Sequence, residues 1–296
     1  MRPLAPAVLA LALASIAAAQ TRPRVFISAD MEGVVGTVTG DQLGPTGFEY
    51  GRFREFMTRE VLAAIRGARA AGAGEIVVAD AHGNGENLLI ELLPNDVTVV
   101  RSWPRPLGMM QGIDSTFAAA IFIGYHAGTT NPRGVRAHTF SSATLADVRL
   151  NGRSVPEGGV NAAVAGHFGV PVVMVSGDDA AVDEVRGVAG NVEGAVVKWN
   201  TGFHSARTIT PDSSYRLIEA TAARAVRRAR EFTPFRLPGP VTLDLRFKNY
   251  RPAELLAYLP NVERTDAHSV RFVGRDILEI VRFLQFVTTY APSLEP

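Results

Sequence analysis

Apolar and polar positions alternate along the chain between short apolar runs and helically spaced stretches. The apolar run at 25–27 reads as a buried strand over about 24–28. Residues 53–71 carry apolar side chains at 53, 56, 57, 61, 62 and 65, a helical spacing stopped by Gly72 and Gly74. Buried-strand patterns recur at 75–79, 118–123 and 171–176, with a shorter candidate at 98–100. Between them, residues 139–150 alternate weakly and end in Asn151-Gly152, a turn dipeptide. A helix is expected at 160–168, a strand at 195–198, and a long amphipathic helix at 211–231 opened by Thr210. Strand, helix and strand in succession predict an α/β fold, a three-layer α/β/α arrangement around a mostly parallel or mixed central sheet.

The pattern changes at residues 232–240, where Pro234, Pro238 and Pro240 mark the best boundary candidate. An alternating strand at 241–247, a helix at 253–258, a strand at 270–273 and a final helix at 276–290 predict a smaller C-terminal α+β lobe. The domain plan expected is therefore a principal α/β domain over 20–232 and the smaller lobe over 233–296. Residues 1–19 stand apart. Arg2, the apolar run 8–14 and the small residues 17–19 have the form of a secretory signal peptide. The run is shorter than the roughly 20 apolar residues of a membrane span. A mature chain that is periplasmic or secreted, with no membrane attachment after signal removal, is the expectation.

Composition narrows the chemistry. Among 296 residues the hydrophobic fraction is 47%, ordinary for a folded chain with a sizeable core. A formal charge of +1 argues against a nucleic-acid platform. With no cysteine, disulfides, thiolate nucleophiles and Cys-based zinc sites are excluded, so any transition metal needs His, Asp and Glu.

Those residue types collect where strands run out. Asp30 and Glu32 follow the first strand, Asp80 and His82 the second, His126 a third, and Asp178 and Asp179 a fourth. In an open sheet the carboxyl ends of the strands share one edge, so residues distant in sequence converge there. Paired acids in such a place call for a cation or a proton. Each group also has a plainer role: a lone His after a strand is commonly structural, and Asp178 and Asp179 suit helix N-caps. Recurrence at successive strand ends is what points to a metal site.

Taken together the motifs resemble the M55 family of D-aminopeptidases, which are zinc peptidases. They are Ser28-x-Asp30-x-Glu32-Gly33, Asp80-x-His82, Gly124-Tyr125-His126-Ala127, the segment 132–138, Pro156-Glu157-x-Gly159-x-Asn161 and Gly177-Asp178-Asp179, in the family's order. The resemblance continues through the C-terminal lobe. It implies two zinc ions per subunit bridged by Asp30, one completed by Glu32 and His126, the other by His82 and Glu157. Glu157 enters only through the resemblance. Imidazole and carboxylate ligands suit zinc, and three protein ligands per ion leave room for water or substrate.

The activity implied is removal of N-terminal D-amino acids, of the D-Ala type, from short peptides through metal-activated water. His138, the family's catalytic residue, is assigned here as a general acid/base or oxyanion donor rather than a nucleophile. Asn161 and Asp178 are candidates for orienting ligands, whereas His167, His204 and His268 are read as structural. The family also implies a homo-oligomer. This sequence differs from the familiar members in its signal-like start and in Ala81, where Ser is common. Two other readings use the same features: an exported peptide- or solute-binding protein without turnover, and a metal hydrolase of esters or phosphoesters.

Overall fold

The structure, a computed structural model, describes residues 22–290, so the signal-like segment lies outside the described residues. In chain order the first elements are β1 (Arg24–Ala29), α1 (Tyr50–Ala70), β2 (Ile76–Asp80), β3 (Val97–Val100) and β4 (Phe117–Tyr125). Next come β5 (Leu145–Leu150), β6 (Arg153–Ser154), α2 (Glu157–His167), β7 (Val172–Asp178) and α3 (Asp179–Ala189). They are followed by β8 (Glu193–Gly202), β9 (Ser205–Thr208) and α4 (Pro211–Arg227). The chain closes with β10 (Val241–Phe247), α5 (Tyr250–Leu256), β11 (Val262–Arg264), β12 (Ser269–Gly274) and α6 (Ile277–Thr289).

The central sheet has the order β3-β2-β1-β4-β7-β8-β9 and is parallel except for β9, which runs antiparallel to β8. Its middle strands are buried on both faces, which is why they appear in sequence as unbroken apolar runs. Along β1 the side chains divide by period two. Val25, Ile27 and Ala29 join the core shared with α1 and α4, including Val61, Ile65 and Ile218. Phe26 joins the opposite core, with Phe117, Phe122 and residues of α2 and α3 such as Val164 and Val182. Truncating Ile27 or Ile121, both fully buried, would cost roughly 2–5 kcal/mol. The expected α/β/α layering is the layering found.

Strand order also locates the crevice. From β1 the chain moves outward through β2 and β3, then returns to place β4 on the other side of β1 and proceeds through β7 and β8. The reversal lies between β1 and β4, and ligands of open α/β sheets bind at the carboxyl ends of strands at that switch point.

The second sheet is antiparallel, with order β11-β12-β10-β5-β6. Here the domain plan from sequence is corrected, because the smaller lobe is not made from residues 233–296 alone. β5 and β6 come from within the segment assigned to the principal domain, and β5 pairs with β10, Leu150 opposite Leu243 and Val148 opposite Leu245. The weak alternation at 145–150 is therefore a strand of the other sheet. Asn151-Gly152 is its hairpin turn, with φ of 49° and 80°. Leu145, Val148, Leu243, Leu245 and Val281 belong to the same buried core as Phe26 and Val164, so the two sheets share one interior.

Candidate metal centre and active site

Asp30 follows β1 directly, and its N–H donates to Ile123 O of β4 at 2.8 Å. Three residues on, Gly33 N–H donates to Gly124 O at 2.7 Å. This crossing needs glycine on both sides. A Cβ on Gly33 would stand 2.0 Å from Tyr125 O, and one on Gly124, at φ 69°, would stand 2.2 Å from Asp30 O. The Asp30–Glu32 segment is thus pressed against the end of β4, where His126 emerges. His82 follows β2, and Glu157 is the first residue of α2. His138 arrives on the loop between β4 and β5.

The structure brings all six side chains together. His82 Nδ1 lies 3.2 Å from Asp30 Oδ1 and 2.8 Å from Glu32 Oε2. His126 Nε2 lies 3.4 Å from both Asp30 Oδ2 and Glu157 Oε1. His138 stacks on His126, ring centres 4.1 Å apart, and holds its Nε2 3.9 Å from Glu32 Oε1 and 3.8 Å from Glu157 Oε1. Backbone carbonyls set the three rings. His82 Nε2–H donates to Leu43 O at 2.7 Å, His126 Nδ1–H to Ala127 O at 3.0 Å, and His138 Nδ1–H to Arg136 O at 2.8 Å. The other nitrogen of each ring then faces the carboxylates, where it offers a lone pair to a metal once its proton is lost.

Acceptors facing acceptors repel unless a cation stands between them. Asp30 Oδ2, Glu32 Oε2 and His126 Nε2 are buried with no hydrogen-bond partner. Such orphaned atoms are costly, and a metal is the economical reason for them. By proximity the donors form two sets, Asp30 with Glu32 and His82, and His126 with His138 and Glu157. That grouping differs from the one the resemblance implies, which joins Glu32 to His126 and His82 to Glu157. Asp30 keeps its special position in both, since its two oxygens face different histidines.

Burial and mutual charge shape the ionisation of the cluster. Burial, reinforced by the charge of Glu32, pushes the Asp30 carboxyl up to about 8. Burial also opposes ionisation of Glu32 and Glu157, but His82 beside the first and His126 beside the second hold both below the usual range. Burial would lower the two histidines, yet Glu32 keeps His82 well above its ordinary value and Glu157 brings His126 to about 10. Without a metal, the two glutamates thus hold protons on the histidines facing them. His138 is different: burial, and then the neighbouring His126, lower its pKa and favour the neutral ring.

A supporting layer fixes the loops that carry these groups. Asp80, expected among the strand-end groups, turns away from the cluster and accepts from Asn87 Nδ2 at 2.8 Å and Leu88 N–H at 2.7 Å. Asp178 caps α3 through Ala181 N–H at 2.7 Å, the plainer role anticipated for it, and also accepts Val135 N–H at 2.7 Å. The latter bond anchors the His138 loop, in which Arg136 and Phe140 have φ of 57° and 60°. Phe140 N–H in turn donates to Glu157 Oε1 at 2.7 Å. Asn161 does not touch a ligand. Its Nδ2 donates to Tyr125 OH at 2.9 Å, which pairs with Ser28 Oγ at 2.7 Å, joining α2 to the strands that bear His126 and Asp30.

Sequence reading missed Lys198. This lysine is fully buried on β8, and its ammonium donates to the carbonyls of Glu32, Val34 (3.1 Å) and Thr37 (2.6 Å). It clamps the loop that carries Glu32. The available signal was a single charge at the end of the apolar run 195–197, on a strand buried in the sheet.

Above the cluster opens a cavity of about 330 Å³. Its wall includes Trp103, Phe140 and, from the second lobe, Gln285 and Thr288. Trp103 is held by its Nε1–H donating to Gly83 O at 2.7 Å and by the Arg105 guanidinium 3.6 Å from its ring centre.

A model of the M55 peptidase family, described as D-aminopeptidase, matches residues 24–286. A D-aminopeptidase of Bacillus subtilis (strain 168) is 32% identical over 269 residues, covering 90% of this chain and 97% of the relative. The solved structure of the Zn-dependent D-aminopeptidase DppA from Bacillus subtilis, described as a self-compartmentalizing protease, superposes with a TM-score of 0.86. The identity there is 30%, over 92% of this chain and all of the other. A shared fold, a family-wide match and substantial identity over almost the full length agree: the chain belongs to the M55 family of D-aminopeptidases.

Proposed function

We propose that the protein is a binuclear zinc aminopeptidase that releases N-terminal D-amino acids, of the D-Ala type, from short peptides. The observation that carries this reading is the set of buried, unpartnered ligand atoms on Asp30, Glu32 and His126, beside His82 and Glu157 at the switch point. Those five side chains would hold the metal. Asp30 suits the bridging role because Oδ1 lies near His82 and Oδ2 near His126. When bound, zinc supplies Lewis acidity, polarising the scissile carbonyl and easing proton loss from water near neutral pH.

The protein groups do the rest. His138 is the proton carrier. Its Nδ1–H is fixed on Arg136 O, its ring is kept neutral, and its side chain is 12% exposed whereas that of His126 is 1% exposed. Nε2 is therefore the atom that takes a proton from the attacking group and returns it to the leaving amine.

Membership in a peptidase family disfavours the binding protein without turnover, and no feature of the site favours esters or phosphoesters. A homo-oligomer is part of the proposal, in keeping with the description of the Bacillus protein as self-compartmentalizing. So is export, on the strength of residues 1–19.

Hydrolysis of matched D-alanyl and L-alanyl peptides, with and without chelator, tests the reading. Cleavage of the D-peptide, lost with chelator and restored by zinc, is expected. Equal cleavage of both enantiomers, or activity indifferent to chelator, would overturn it.

A further inference from the structure

The ligand cluster accounts for the cavity floor, but one polar group of the wall has no role there. Gln285, on α6 of the second lobe, lines the cavity. Its side-chain amide makes no hydrogen bond among the described residues, and its Oε1 is buried. Leaving a buried polar group unpaired is costly, so its presence on a cavity wall points to a ligand.

Its neighbours on the helix are already committed. Thr288 Oγ1–H donates to Leu284 O at 2.8 Å, and Thr289 Oγ1–H donates to Gln285 O. Gln285 is thus the residue of this helix face with both a donor and an acceptor to spare. Its position is prepared by Gly108, at φ 55°. A Cβ there would come within 3.0 Å of Gln285 Nε2, so only glycine lets the side-chain amide lie against the main chain.

We propose that Gln285 is a specificity-determining residue that pairs with a main-chain amide of the substrate beyond the scissile bond. A side-chain amide offers one N–H donor and one C=O acceptor side by side, the complement of a peptide unit. The substrate's amine and scissile carbonyl belong on the floor with the ligand cluster, so a wall residue meets the following part of the peptide. The cavity lining contains no Lys or Arg among the described residues, which leaves a neutral amide, rather than a carboxylate, as the group matched there.

This inference rests on the D-aminopeptidase reading, and the test separates the two. The probes are D-alanyl-glycyl-glycine amide and the analogue in which the N–H of the glycyl-glycine linkage is replaced by an ester oxygen. For zinc-loaded wild type, kcat/KM is expected to be about tenfold higher for the all-amide probe, the scale of one good hydrogen bond. Gln285→Leu and the smaller Gln285→Ala are expected to lose that preference, kcat/KM falling about tenfold further for the all-amide probe than for the ester analogue, which keeps only the carbonyl partner, with zinc content unchanged. Equal losses on both probes, or a preference that survives both substitutions, would overturn the assignment of Gln285. Failure of wild type to release D-alanine from either probe would overturn the activity itself, and the inference with it.

Discussion

The floor and the wall of the cavity are held in place by different means. Asp30 and His126 follow β1 and β4 immediately and His82 lies two residues past β2, so the ladder of the central sheet positions them. Backbone carbonyls then orient the histidines. Trp103, Phe140 and Gln285 come from loops and from the second lobe, held by side-chain packing and single hydrogen bonds. Chemistry sits where the main chain cannot shift, and recognition sits where one side chain can change without moving the rest. A substitution in the floor should therefore alter metal and turnover together, and one in the wall should alter substrate preference alone.

The largest effect is expected from Asp30→Ala. With both histidine-facing oxygens removed, zinc binding should be lost at both positions and kcat/KM should fall by about 10³-fold, the several kcal/mol a metal supplies. Zinc analysis and peptide hydrolysis measure this. Retention of one ion would show that Asp30 is not the bridge, and Glu32→Gln, expected to weaken mainly one ion, provides the contrast.

A smaller effect is expected one layer behind the floor. Lys198→Met leaves the carbonyls of Glu32, Val34 and Thr37 without their donor. Zinc affinity or activity should drop roughly 10- to 100-fold, as for other groups that orient metal ligands. Chelator competition reads the affinity, and unchanged affinity would place Lys198 in the fold alone.

The smallest effect concerns pH and stability. Burial pushes Glu60 up to about 7, although Ser214 Oγ–H and Val35 N–H, at 2.7 and 3.0 Å, bond its carboxylate. Its folded pKa exceeds its unfolded value, so its stabilising contribution is complete at low pH and is lost as pH rises toward 7. Relative to wild type, Glu60→Gln should gain thermal stability between about pH 5 and pH 8. A constant difference in melting temperature over that range would contradict this.

What could be read in advance follows the same division. Strands buried on both faces betray themselves as apolar runs, so the four polar strand ends were visible without coordinates. Glu157 opens α2 and His138 sits on a loop, and long-range bonds such as Phe140 to Glu157 and Val135 to Asp178 bring them to the site, which no local periodicity records. The composition of the second lobe was hidden for a related reason. β5 pairs with β10 across nearly a hundred residues, and its six-residue alternation resembles any half-buried strand. Lys198 looked like a strand end because its three partners are carbonyls, which carry no sequence signature. Asp178 shows the converse, where the plain expectation of a helix cap was right and left room for a second bond.

The most direct measurement is the metal content of the purified protein, by elemental mass spectrometry after equilibration with zinc and removal of loosely bound ions. Two equivalents of zinc per chain in wild type, falling to none in Asp30→Ala, is the result expected. A wild-type protein that retains no zinc, or an Asp30→Ala variant that retains two equivalents, would contradict a metal centre built on Asp30.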